Sequence, residues 1–325
     1  MKSIKLIAAA VAVSASTSSF ADPMLIQEWS FINEAGFLSF EATEMPAGAT
    51  NTPTFSGNSA DGNPSILSTG GLPDTLCWGD AINWNQSCLG INSQVTNNTT
   101  QSWDANGNLV DINGGEAQGN VQTVEIDADY SDAFKQATAL RHDNFPITGQ
   151  FLDKVIIKDG IRLTAELPIG VQVDAPELNF LIDFWETPNN GLDADGSCPF
   201  GPAARTPGSV NASGCSDLFE LVGIEGSEGG LNVIGGGADY IDFSVKFKVS
   251  GVDASLYHRD YELITRLSGL DVAFDGMGFA TRENGVNILN AQFAVRAIDA
   301  PEPSTLAIFA ASLLSLAGFS RRKAK

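Results

Sequence analysis

From Ala238 to Gly251 the chain reads ADYIDFSVKFKVSG, and apolar residues fall at every second position. Ile241, Phe243, Val245, Phe247 and Val249 alternate with Asp242, Ser244, Lys246 and Lys248, the period of a strand with one face buried. LNFLIDFWE repeats the pattern with Leu178, Phe180, Ile182 and Phe184, and VEIDADY with Val124, Ile126, Ala128 and Tyr130. KVIIKDGIRLTAEL is expected to form two strands turning at Asp159-Gly160, and TRENGVNIL to turn at Asn284-Gly285. WDANGNLV gives a third hairpin around Asn106-Gly107, and NAQFAVRAI the last strand. Helical periodicity is weak; SDAFKQATAL is compatible with a short helix from Ser131 or Asp132. Pro46 to Gly71 is rich in Gly, Ser, Thr, Asn and Pro, and reads as a long loop or an excursion from a sheet. Many short strands separated by Gly, Asn and Asp turns predict an all-β protein, a β-sandwich of jelly-roll-like form.

Both ends depart from this pattern. Lys2 and Lys5 make a basic start, Ile4 to Val13 is apolar apart from Lys5, and small residues, Ser19 and Ala21, stand three and one before Asp22. This is the layout of a cleavable secretory signal over residues 1–21, handled by the Sec export machinery. The apolar run is shorter than a membrane span requires. At the other end Ser304 to Ser320 carries no charge, and Arg321, Arg322, Lys323 and Lys325 follow. Basic residues stay on the cytoplasmic side, so a helix here would hold the rest of the chain outside.

Pro301-Glu302-Pro303, the apolar segment and the terminal basic cluster, in that order, resemble the PEP-CTERM sorting signal of Gram-negative bacteria. The resemblance covers residues 301–325. It implies recognition and processing by an exosortase near Pro-Glu-Pro, a transient hold in the inner membrane, and release to the cell surface or an exopolysaccharide matrix. LRHDNFPITG resembles the signature of the THxN family of such proteins through His142, Asn144, Phe145, Pro146 and Ile147; Arg141 stands where that family has Thr. CWGDAINWNQSCL, GCSDLFEL and YHRDYEL are similar to further stretches of that family. The THxN resemblance implies an exported surface protein and brings no catalyst with it.

Charge fits an exported body. Residues 22–300 hold 12 Lys and Arg against 38 Asp and Glu, a formal charge of −26, which repels nucleic acid and anionic membranes. At 279 residues this body can bury a substantial core. An even count of four Cys in an exported chain argues for disulfides. Of three pairings, the local one, Cys77 with Cys88 and Cys198 with Cys215, is favoured because each pair brackets a Gly/Pro/Asn-rich loop. A zinc site fits poorly: no C-x-x-C occurs and neither His neighbours a Cys.

Candidate chemistry is thin. Only His142 and His258 are present, without a G-x-S-x-G elbow, so no nucleophile–base–acid set can be read. His142 and Asn144 are expected to organise a turn, with Pro146 fixing the chain direction. Two loops offer alternating oxygen donors for calcium: Asp104, Asn106, Asn108 and Asp111, and Asn189, Asn190, Asp193 and Asp195. Neither fits the EF-hand spacing, and turn chemistry accounts for both. Trp78, Trp84, Trp103 and Trp185 could form a sugar platform or fill a core. No catalytic carboxylate pair stands out among 38 acids. The reading is a non-catalytic surface or matrix protein without a required cofactor; the alternative is a secreted carbohydrate-active enzyme or lectin on the same sandwich.

Overall fold

A computed structural model describes residues 23–60, 64–82, 85–91, 101–103, 109–111, 116–126, 128–166, 170–174, 177–188, 191–192, 195–225, 232–253, 256–273 and 277–298. The expected N-terminal signal and C-terminal sorting segment lie outside these residues.

The chain begins with β1 (Glu28–Ala42), β2 (Thr54–Ser56), β3 (Thr75–Trp78), β4 (Asp80–Ala81) and β5 (Ser87–Ile91). There follow β6 (Gln101–Trp103), β7 (Leu109–Asp111), β8 (Glu116–Val124), β9 (Lys135–Asn144) and β10 (Ile147–Thr148). Next come β11 (Leu152–Ala165), β12 (Val171–Asp174), β13 (Leu178–Trp185), β14 (Asp217–Glu225) and β15 (Asn232–Gly236). The last are β16 (Tyr240–Lys248), β17 (Asp260–Ser268), β18 (Asp271–Ala273), β19 (Gly278–Thr281) and β20 (Gly285–Ala297). The described residues contain no helix.

Sixteen of these strands form two layers, while β4 pairs with β10 and β6 with β7 separately. One runs β18-β19-β14-β13-β11-β1-β8, with β12 also on β11; the other runs β2-β3-β5-β9-β20-β17-β16-β15. Within each layer the pairs are antiparallel; the layers join where the end of β8 meets β20 in parallel, at Thr123 with Val295 and Val124 with Arg296. The chain passes repeatedly from one layer to the other, the interleaving expected of a jelly-roll-like sandwich. Inward residues meet across the gap: Phe31 stands edge-on to Phe293 at 4.7 Å, Trp29 to Tyr261 at 5.5 Å, and Phe180 to Phe243 at 5.7 Å. Period-2 alternation therefore builds the core: each strand gives one face to the facing layer and the other to its outer side.

Several local expectations give way. Asp159-Gly160 is not a hairpin. β11 runs straight through it, with Ala35 opposite Asp159 and Glu34 opposite Gly160 on β1. Gly160 serves close approach rather than a turn, because a Cβ there would lie 2.8 Å from Leu67 Cδ2. Leu67 belongs to the Pro46–Gly71 excursion, which among its described residues carries only β2 and is tied down by buried Glu34. That carboxylate accepts hydrogen bonds from the Ser59 and Ser65 hydroxyls and the Ile66 amide, at 2.7–2.9 Å. Asn284 does turn, with φ of 55°, yet it joins β19 of one layer to β20 of the other rather than two paired strands. SDAFKQATAL is not helical: Lys135 onward is β9, held between β5 and β20, and this pairing overrides a weak helical preference. VEIDADY is not a strand past Val124; the strand lies before it, as β8, and Ala128 N–H donates to the Glu125 carbonyl in a turn. The third hairpin forms, with Trp103 opposite Leu109 in β6–β7; its turn lies outside the described residues.

Candidate functional site

The His142–Ile147 stretch sits at the end of β9. Alternation turns His142 and Asn144 into the sandwich and Arg141 and Asp143 to the other side. There Arg141 Nε donates to Asp143 Oδ1 at 2.8 Å, a buried ion pair. His142 fills an aromatic layer. Its ring stacks on Trp78 at 5.6 Å and meets the edges of Phe184 at 5.4 Å and Phe219 at 5.2 Å. Thr281 Oγ1 donates to the Asp217 carbonyl at 3.2 Å, which leaves it to accept from His142 Nδ1–H at 3.0 Å. That network assigns the Nδ1–H tautomer. Burial pushes the His142 pKa down to about 3, so the ring is neutral at ordinary pH and is no proton shuttle.

The chain then turns. Ser87 Oγ donates to the Phe145 carbonyl at 2.9 Å and accepts the Phe145 N–H at 3.2 Å. Beyond Pro146, which has no N–H to satisfy, β10 pairs with β4, Ile147 opposite Ala81 and Thr148 opposite Asp80. Gly79 lies under Ile147. With φ of 76°, and a Cβ that would come within 2.4 Å of Ile147 Cδ1, only glycine fits there. Ser87, Pro146 and Gly79 shape this turn, while His142 lies earlier, within β9, and bonds the Thr281 side chain rather than backbone.

Three of the four stretches singled out in the sequence meet here: HDNFPI, the Trp78–Ser87 region, and CSDLF through Asp217 and Phe219. The fourth does not. His258 lies in a separate core with Tyr261, whose ring is 5.3 Å away, and His258 Nε2 is 2.7 Å from the Asp260 carbonyl.

Next to the aromatic layer lies a layer of acids that sequence reasoning missed. Asp217 follows the inward phase of Phe219, and Glu186 that of Phe184; Glu283 arrives on the β19–β20 turn. Asp217 and Glu283 are shut off from solvent and Glu186 is half-buried. Burial raises all three carboxyls. Glu186 rises to about 8, helped by the charge of Glu283 and opposed by the Trp78 indole. Asp217 rises well above its ordinary value through burial and the charges of Glu186 and Glu283. Glu283 rises to about 7, opposed by bonds from the Asn284 amide and the Asn144 side chain. The legible signal was an acid continuing the inward phase of an apolar strand. Two carboxyls closed to solvent cannot reach a glycosidic bond.

Cys77 is bonded to Cys88, and these residues face each other across β3–β5 with Cα atoms 4.1 Å apart. Cys198 is bonded to Cys215 at a Cα separation of 5.4 Å. No free cysteine occurs among the described residues. Of the calcium candidates, Asp104, Asn106, Asn108, Asn189, Asn190 and Asp193 lie outside the described residues, and Asp111 is placed only by its backbone, opposite Gln101. Asp195 is exposed and accepts the Ser197 amide at 3.0 Å, a local turn contact. Among the described residues no group of three or more His, Cys, Asp or Glu converges as a metal-ligand set. Trp78 is fully buried and cannot be a sugar platform; Trp185 is 45% exposed, Trp84 lies outside the description, and the Trp103 side chain is not placed. No described helix is long and apolar enough to cross a membrane.

The family profile of the PEP-CTERM protein-sorting motif matches residues 299–323. A search of curated proteins finds no match to the chain. The chain therefore carries the sorting motif of exported proteins handled by an exosortase. The described residues ahead of that motif are all-β.

Proposed function

We propose that this chain is a non-catalytic protein of the cell surface or exopolysaccharide matrix of a Gram-negative bacterium. Residues 1–21 are a signal peptide read by the Sec machinery, 22–300 the exported body, and 301–325 a sorting signal whose apolar helix holds the precursor in the inner membrane. The THxN resemblance of His142–Ile147 fits a body whose motif residues build structure. The observation that carries this reading is the sorting motif at residues 299–323. Its non-catalytic part is supported by a His142 ring sealed among Trp78, Phe184 and Phe219.

The test is mass spectrometry of the mature C-terminus, with and without replacement of Pro301, Glu302 and Pro303 by Ala. Processing gives a mature chain lacking Ser304–Lys325, and the triple variant stays in the membrane because its apolar segment and basic cluster are intact. Recovery of an intact Lys325 on most wild-type molecules would replace this reading with that of a single-span membrane protein.

A further inference from the structure

The loop between β13 and β14 springs from two acids that face one another. In the β13–β14 register Phe184 pairs with Phe219 and Trp185 with Leu218, so one further step sets Glu186 opposite Asp217. Cβ atoms at opposed positions stand about 4.5–5.5 Å apart. Asp217 Oδ1 accepts the Thr187 amide at 2.8 Å, while its Oδ2 is buried without a hydrogen-bond partner. Glu186 Oε2 accepts from Trp78 Nε1 at 3.4 Å. The base of the loop is fixed beside this pair. Thr187 Oγ1 donates to the Cys215 and Ser216 carbonyls at 3.0 and 3.1 Å, and Cys215 is bonded to Cys198.

We propose that Glu186 and Asp217 stay protonated where they face one another at the base of the Cys198–Cys215 loop, a latch that opens as pH rises because the ionised carboxyls repel. Two carboxylates opposed on paired strands repel, and a buried, unpartnered Oδ2 suits a carboxyl that keeps its proton. The facing groups offer no compensating charge. Glu283 from the β19–β20 turn is a third acid, His142 from β9 is neutral, and Asn144 and Thr281 are uncharged. No ion pair to Glu186 or Asp217 occurs among the described residues. Burial raises both carboxyls, so the folded state holds protons that the unfolded chain releases. Stability from this source is complete below the unfolded carboxyl range and falls as pH climbs toward the folded values.

Hydrogen-exchange mass spectrometry of the exported protein at pH 5, 7 and 9, expressed as protection factors, reads the latch. The Thr187 amide and the amides of the non-proline residues of 195–217 should lose protection at least tenfold between pH 5 and 9, while those of β16 and β17 hold. Glu186→Gln, at the half-buried position, and Asp217→Asn should each keep the loop base protected at pH 9. Equal wild-type protection at pH 5 and 9 overturns the proposal, as does the same loss in Glu186→Gln as in wild type. Millimolar calcium that restores protection at pH 9 in wild type but has no effect on the variants would make the pair a cation site and overturn the proton latch.

Discussion

His142→Leu tests whether His142 is a neutral core residue. The folded ring has a pKa near 3 against an ordinary value of 6.5. Below pH 6.5 the unfolded chain takes a proton that the folded ring refuses, so stability from this residue is present above 6.5 and is lost as pH falls toward 3. At 2% exposure the loss is about 1.4 kcal/mol per pH unit, or about 4–5 kcal/mol over the full range. The Glu186, Asp217 and Glu283 carboxyls act in the opposite sense, so the wild-type profile alone does not isolate the histidine. The difference between wild type and variant does. At pH 7 His142→Leu should be the less stable by about 1 kcal/mol, from the lost Nδ1 hydrogen bond and ring contacts offset by removal of the unpartnered Nε2. By pH 4 that difference should have moved about 3 kcal/mol in favour of the leucine, so the two curves cross. Urea unfolding of the exported protein at pH 7, 6, 5 and 4 measures this. Parallel curves would mean that the ring titrates normally and reaches solvent, and the structural reading of the motif would fall.

Arg141→Met should destabilise by about 3 kcal/mol in the same assay, because it leaves the buried Asp143 carboxylate without its ion-pair partner. An apolar cavity of about 80 Å³ between the layers, lined by Ala35, Ile157, Phe180 and Phe219 among others, should accept Ala35→Val with a gain of about 1 kcal/mol; a loss of that size by thermal melt would show a filled space. Thiol titration of denatured, unreduced protein should find no free Cys, and non-reduced peptide maps should show no link between the two cysteine pairs. Gly160→Ala should cost about 1 kcal/mol through contact with Leu67, whereas a turn glycine at that position would report through altered strand pairing.

The strands were legible where one face is buried and the other wet, as from Ile241 to Val249 and Leu178 to Phe184. They were illegible where pairing in three dimensions decides. Asp159-Gly160 has turn composition, but β1 lies alongside the whole of β11 and Leu67 occupies the space that a side chain would need. Lys135 to Leu140 has helix-compatible spacing, but β5 and β20 claim its backbone hydrogen bonds. The cysteine pairing was legible because both links are local. The acid layer was not, since Glu186, Asp217 and Glu283 come from three segments whose meeting depends on the register of β13 with β14 and on the crossing from β19 to β20.

β20 fixes which end of the body leads into the sorting motif. It begins at Gly285, beside Asn144, and ends at Ala297, where the Ile298 amide donates to the Asp260 carbonyl. Thirteen residues span about 40 Å, so the strand crosses the sandwich from one pole to the other. The beginning of the body is anchored at the second pole too, through Met24 beside Tyr257. Only residues 299 and 300 separate that pole from Pro301, a reach of about 7 Å. Under the proposed membrane hold, that short connection would keep this pole near the bilayer. The aromatic layer, the acids and the Cys198–Cys215 loop lie toward the opposite pole, where β20 begins beside Asn144.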